Sequence, residues 1–188
     1  MSYGLTFYTI SYKGLRDEIL KPSDDFLKKL QETWKTVYDP GAGESFETAL
    51  DEGLAELKKA VAENKTQLST KGELAFVAAI ETYGQELGTL EHSSSGGEEF
   101  REEFLEGVAA KTFNFPHFGK YLTNRPLFGF KTLEYPSWGG FLHGELLKLQ
   151  DYDSASTGNE DFKKWFADLA IFIKQAKDSG KDLLTIYR

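Results

Sequence analysis

The sequence predicts an α+β fold: a small antiparallel sheet that contains both terminal segments, with several helices packed on it. Three observations carry this. The two ends, 3–12 and Leu183–Tyr187, are short, rich in β-branched and aromatic residues, and apolar on two faces. Between them, apolar residues recur at helical spacing in several long stretches. The chain has 188 residues, 40% hydrophobic and 14% aromatic, enough to bury about 70% of its unfolded surface around one core. A single domain spanning 1–188 is the expectation.

In the first segment Tyr3, Leu5 and Phe7 lie on one face and Tyr8 and Ile10 on the other, as in an inner strand. Ser23-Asp24-Asp25 can open a helix, because their oxygens accept from free backbone N–H groups and acids suit the positive end of the dipole. Phe26, Leu27, Leu30, Trp34 and Val37 give that helix its stripe. Asp39-Pro40-Gly41-Ala42-Gly43 breaks it. A second helix follows from about Ser45, with Phe46, Ala49, Leu50, Gly53, Leu54, Leu57 and Val61 on one face. From Gly72 to Leu90 the spacing predicts a central helix covered on most sides, where Gly84 and Gly88 let a neighbour approach closely. His92-Ser93-Ser94-Ser95-Gly96-Gly97 reads as a flexible loop. A short acidic helix follows from Glu98 to Ala110, with Phe100, Phe104, Leu105 and Val108 inward. Thr157-Gly158-Asn159-Glu160 has capping-box spacing before a last helix that Gly180 closes. Leu183–Tyr187 is then a second inner strand, paired with the first.

Composition removes several classes of chemistry. Thirty acids against 22 bases leave a formal charge of -8, which disfavours nucleic acid and anionic membranes and favours a cationic partner. Without a cysteine there is no disulfide framework, iron–sulfur cluster or thiolate nucleophile. The opening residues lack the basic and apolar regions of an export signal, and the longest apolar run, Leu74–Ile80, is far short of the ~18 residues of a bilayer span. A cytoplasmic protein is expected, with no cofactor.

Met1-Ser2-Tyr3-Gly4-Leu5, the stretch from Gly72-Glu73-Leu74-Ala75-Phe76 to Tyr83-Gly84-Gln85-Glu86-Leu87-Gly88, and the close Gly180-Lys181-Asp182-Leu183-Leu184-Thr185-Ile186-Tyr187 together resemble an uncharacterised bacterial domain family of unknown function. Tyr135-Pro136-Ser137-Trp138-Gly139-Gly140-Phe141-Leu142 is similar to that family's Pro-and-aromatic loop. More remotely, the closing strand resembles that of the YfbM-like α+β domains. The resemblance implies a fold and brings no catalytic residue. The charged helical region from Asp17 to Asn64 departs from the family's shorter linker.

Two constellations are candidates for function. From Phe113 to Phe141 nine of 29 residues are aromatic, and the stretch extended to Lys148 carries about +2 while the rest carries about -10. One reading is a pocket in which His117, Lys120, Arg125, Trp138 and His143 hold a small anionic ligand or do chemistry; the other is an irregular segment that buries its rings in the core. The second constellation is acidic: Glu98, Glu99, Glu102, Glu103 and Glu106, opposed only by Arg101. Like charges at helical spacing repel, and a basic partner would turn that cost into binding energy. They also suit a solvated face. No catalytic residue is assigned: the three histidines lack metal-motif spacing, Ser137 lacks a nucleophile-elbow frame, and no phosphate loop is present. The residues therefore favour a non-catalytic binding protein, such as an immunity-type neutraliser of a basic toxin or effector, over an enzyme or small-ligand protein built on the aromatic stretch.

Overall fold

The computed structural model describes residues 2–41, 44–131, 136–152 and 157–188. Met1, the Ala42-Gly43 end of the breaker and Tyr135 of the aromatic stretch lie outside them. The fold is α+β, with a four-stranded antiparallel sheet ordered β2-β1-β4-β3. The strands are β1 (Ser2–Ile10), β2 (Gln85–Ser93), β3 (Ser137–Phe141) and β4 (Asp182–Tyr187). Both terminal strands are inner strands, as their two-sided apolarity requires. Gly4 and Arg188 exchange backbone hydrogen bonds of 2.8 and 3.1 Å across the β1–β4 pair.

The chain forms two compact units. One comprises Met1–Thr9, Glu86–Pro126 and Thr132–Arg188, the other Ile10–Gln85 and Leu127–Lys131. The first contains most of the sheet and the long helix α8 (Glu160–Ser179). One face of β1 and β4 supplies Leu5, Phe7 and Leu183 to its core, where they meet Phe166, Leu169 and Ile173 of α8. Asn159 caps α8, its side chain accepting from the N–H of Asp161 (2.9 Å) and Phe162 (3.2 Å), so the cap falls two residues beyond the predicted Thr157. Gly180 closes the helix at φ 68°, as its freedom there predicts.

The second unit is helical: α1 (Tyr12–Leu20), α2 (Asp24–Val37), α3 (Phe46–Glu63) and α4 (Thr70–Tyr83). Ser11, Ser23, Ser45 and Ser69 each cap one helix by accepting from the backbone N–H three residues on. Sequence reading finds the second and third of these helices and misses α1, because Ser11 ends the strand two residues early and only Leu15 and Ile19 are buried on that helix. The predicted helix from Gly72 to Leu90 is corrected as well. It stops at Tyr83; Gly84 is extended, and Gln85–Ser93 is a strand. Gly88 has φ 150° there, and a Cβ on it would sit 2.7 Å from the Phe172 ring, so close approach is its purpose, within a sheet. The predicted 92–97 loop is corrected too: His92 is a buried strand residue, 7% exposed. Among the described residues no helix is long and apolar enough to cross a membrane.

Glu73, in the first turn of α4, is only 3% exposed. Burial, helped by the charge of Glu56, pushes its carboxyl up to about 7. Glu56 is fixed nearby, accepting from the Ser69 N–H at 2.6 Å. The native state thus holds the Glu73 proton more tightly than the unfolded chain, so the stability it confers is full below about 4.5 and is lost as pH rises through 7. Glu73→Gln is expected to stabilise the protein by about 2 kcal/mol at pH 8, taking about 1.4 kcal/mol per pKa unit less partial screening. The gain should vanish near pH 4. Urea midpoints at pH 4, 6 and 8 check this, and a gain independent of pH would contradict it.

Candidate functional site

The acidic stretch leaves β2 through a tight turn at Ser94–Gly96 and continues as a π-helical segment, Glu99–Ala109, which runs into α5 (Ala110–Thr112). The Ala110 N–H reaches the carbonyl of Leu105, five residues back, as in a π-helix. Its buried residues, Phe100, Phe104, Leu105 and Ala109, recur every four to five positions, which fits that wider coil. The acids occupy the remaining arc. Glu98, Glu99, Glu102 and Glu103 are exposed. Glu106 is half-buried and accepts from the Lys120 N–H at 2.7 Å. Among the described residues none of the five enters an ion pair. Arg101, the one base among them, turns back: its Nε donates to the Gly97 carbonyl at 3.4 Å, and its guanidinium lies 6.0 Å from the centre of the Tyr187 ring.

A set of rings holds this segment in place. His92 stacks on Phe100, with centroids 4.8 Å apart, and on Tyr187 at 5.7 Å. Its Nδ1 lies 2.7 Å from the Ser93 carbonyl and its Nε2 2.9 Å from the Tyr187 hydroxyl. A carbonyl only accepts, so Nδ1 carries the proton and Nε2 accepts from Tyr187. Trp165 meets Phe100 edge-on at 5.0 Å and donates from its Nε1 to the Glu91 carbonyl at 3.0 Å. The Trp165–Glu91 and His92–Tyr187 partners lie 74 and 95 residues apart in the chain, and no local sequence signal marks them.

The aromatic stretch supplies rings to the interior. Phe113, Phe118, Phe130, Trp138 and Phe141 are buried, while Phe115, Tyr121 and Phe128 are half-buried. The Pro-and-aromatic loop contains an edge strand that sequence reading leaves as loop: β3, with all five residues buried. His117 and Lys120 are exposed at the start of α6 (Phe118–Thr123), and Trp138 has 0% exposure. Arg125 forks onto Glu145, with Nη2 3.0 Å from Oε1, donates to the Gly140 carbonyl at 3.0 Å and lies 4.7 Å from the Tyr121 ring centre. Burial works to raise the Glu145 carboxyl, but the Arg125 fork and the Leu142 N–H outweigh it and hold it below the usual range. His143 opens α7 (His143–Leu146), its N–H donating to Asp182 Oδ1 at 2.8 Å. Arg125 is therefore engaged within the fold, and Trp138 has no surface to offer a ligand.

Among the described residues no three His, Asp or Glu side chains are grouped to hold a metal ion. Comparison of the chain with models of protein families, with curated proteins and with solved structures finds no match.

Proposed function

We propose that this chain is a non-catalytic, cytoplasmic binding protein that captures a protein with a basic surface, as an immunity-type neutraliser captures a basic toxin or effector. The observation that carries the reading is the exposure of Glu98, Glu99, Glu102 and Glu103 on one helical arc, with no ion pair among the described residues and with Arg101 turned onto Tyr187. The arc rests on Phe100, stacked on His92 and met edge-on by Trp165, so docking has to order the glutamate side chains and not the backbone that carries them. The net charge of -8 adds a long-range field of the same sign.

The test begins with affinity capture from the native cell, which supplies the partner. Changing Glu98, Glu99, Glu102, Glu103 and Glu106 together to Gln keeps helix propensity and removes the charge. Association is expected to slow by about tenfold or more at low salt, with dissociation nearly unchanged, because rim charges act on encounter. The difference should fade at high salt, where the Debye length falls to about 3 Å. Equal association rates at low salt would reject the acidic arc as the docking surface.

A further inference from the structure

α8 carries a second stripe beside the one it buries in the core: Ala167, Ala170, Ile171 and Lys174, at i, i+3, i+4 and i+7. Against this stripe lies the Gln150-Asp151-Tyr152 segment, and between them is a cavity of about 310 Å³, at the small end of the range of roughly 300–1,000 Å³ for ligand sites. The two alanines leave the space, since neither has a side chain beyond Cβ. Phe113 contributes to its lining and is rigid, stacked on Phe118 at 5.0 Å and on Phe166 at 5.2 Å. Ile171 and Tyr152, 52% and 37% exposed, are apolar walls left open to solvent. Among the described lining residues the charged ones are one acid, Asp151, and one base, Lys174. Asp151 is held by Lys177 at 2.6 Å, from outside the lining, and Lys177 also donates to the Leu149 carbonyl, so the acid is neutralised within the fold. Lys174, also in the lining, enters no ion pair among the described residues. Apolar walls with one uncompensated ammonium are complementary to a small organic anion.

We infer that this cavity binds a small monocarboxylate with an apolar ring or short chain, its carboxylate on Lys174 and its body against Phe113, Tyr152 and Ile171. The site uses none of the acidic residues proposed for protein capture. The test is an amide chemical-shift titration of the full chain with phenylacetate and hexanoate, beside the neutral 2-phenylethanol and the cationic phenethylamine. Both anions are expected to shift amides at Phe113, Tyr152, Ile171 and Lys174. Phenethylamine should bind about tenfold more weakly than phenylacetate, since it loses a charge-assisted contact. Lys174→Gln should weaken phenylacetate by a similar factor and leave 2-phenylethanol unchanged. Ala170→Leu should fill the space and abolish all binding with the melt intact; if that variant melts early, Ala167→Leu at the exposed neighbouring position makes the same test. The variant with five Glu→Gln changes should bind phenylacetate like the wild type, which separates this site from the capture surface. No shift at these residues with either anion at millimolar concentration, or equal binding of phenylacetate and phenethylamine, would overturn the inference.

Discussion

A chain ending at Asp182 is expected to show no cooperative unfolding transition of the unit that contains the sheet. The missing residues remove β4, which lies between β1 and β3 and is hydrogen-bonded to both. Leu183, Leu184 and Ile186 are fully buried, and Tyr187 nearly so. Four such side chains contribute about 1.5–3 kcal/mol each, or on the order of 6–12 kcal/mol together, against a total stability of about 5–15 kcal/mol. The loss is larger than the side chains alone, because β1 and β3 are left facing a gap with unpaired N–H and C=O groups. Tyr187 also donates to His92 and stacks on it, so the base of the acidic segment goes too. Near-ultraviolet circular dichroism against temperature makes the measurement. A truncated chain with an unchanged midpoint would mean that β4 is not an inner strand.

The same residues show why the ends were legible and the middle less so. Leu183–Tyr187 and Tyr3–Ile10 are apolar on both faces, and only an inner strand uses such a pattern. Serine caps announced α2 and α3, since Ser23 and Ser45 stand directly before their amphipathic stripes. Failure came where tertiary contact overrode local propensity. Gly84 and Gly88, four residues apart, suit a helix that runs on from α4, yet residues 85–93 pair with β1, where the Thr6 and Thr89 hydroxyls lie 2.9 Å apart. β3 is Ser-Trp-Gly-Gly-Phe, with two glycines that weaken any strand signal. The acidic candidate residues could be read because their charge is local. The engagement of Arg125 could not, because its partner Glu145 is 20 residues away. Nor could the cavity beside α8, which is defined by two alanines that look like ordinary helix filler.

The two glycines of β3 are there for space, and adding one methyl group tests this. Gly139 pairs with Thr185 across the β3–β4 register. On that face the end of α6 comes down onto the sheet: a Cβ on Gly139 would meet the Tyr121 carbonyl oxygen at 2.2 Å and the Leu122 carbonyl carbon at 2.6 Å. Both are backbone atoms, which cannot swing aside as a side chain would. The Leu122 carbonyl is one of the last four of its helix and lacks an intrahelical donor; the Thr185 hydroxyl donates to it instead. Gly139→Ala must lift α6 from the sheet and so break this bond. Overpacking costs about 1–3 kcal/mol and a buried acceptor left unpaired about 1–3 kcal/mol more, so the expected loss is about 2–6 kcal/mol. Gly140→Ala should be at least as damaging, since φ is 145° there and its Cβ would lie 2.2 Å from the Leu183 oxygen. Gly144→Ala is the control: nothing lies within 4 Å of its Cβ, and alanine suits its helical position. Urea unfolding of the three variants, with Thr185→Val to isolate the hydrogen bond, separates the two costs. If Gly139→Ala stays within about 1 kcal/mol of the wild type, α6 does not rest on β3 and the glycine has some other purpose.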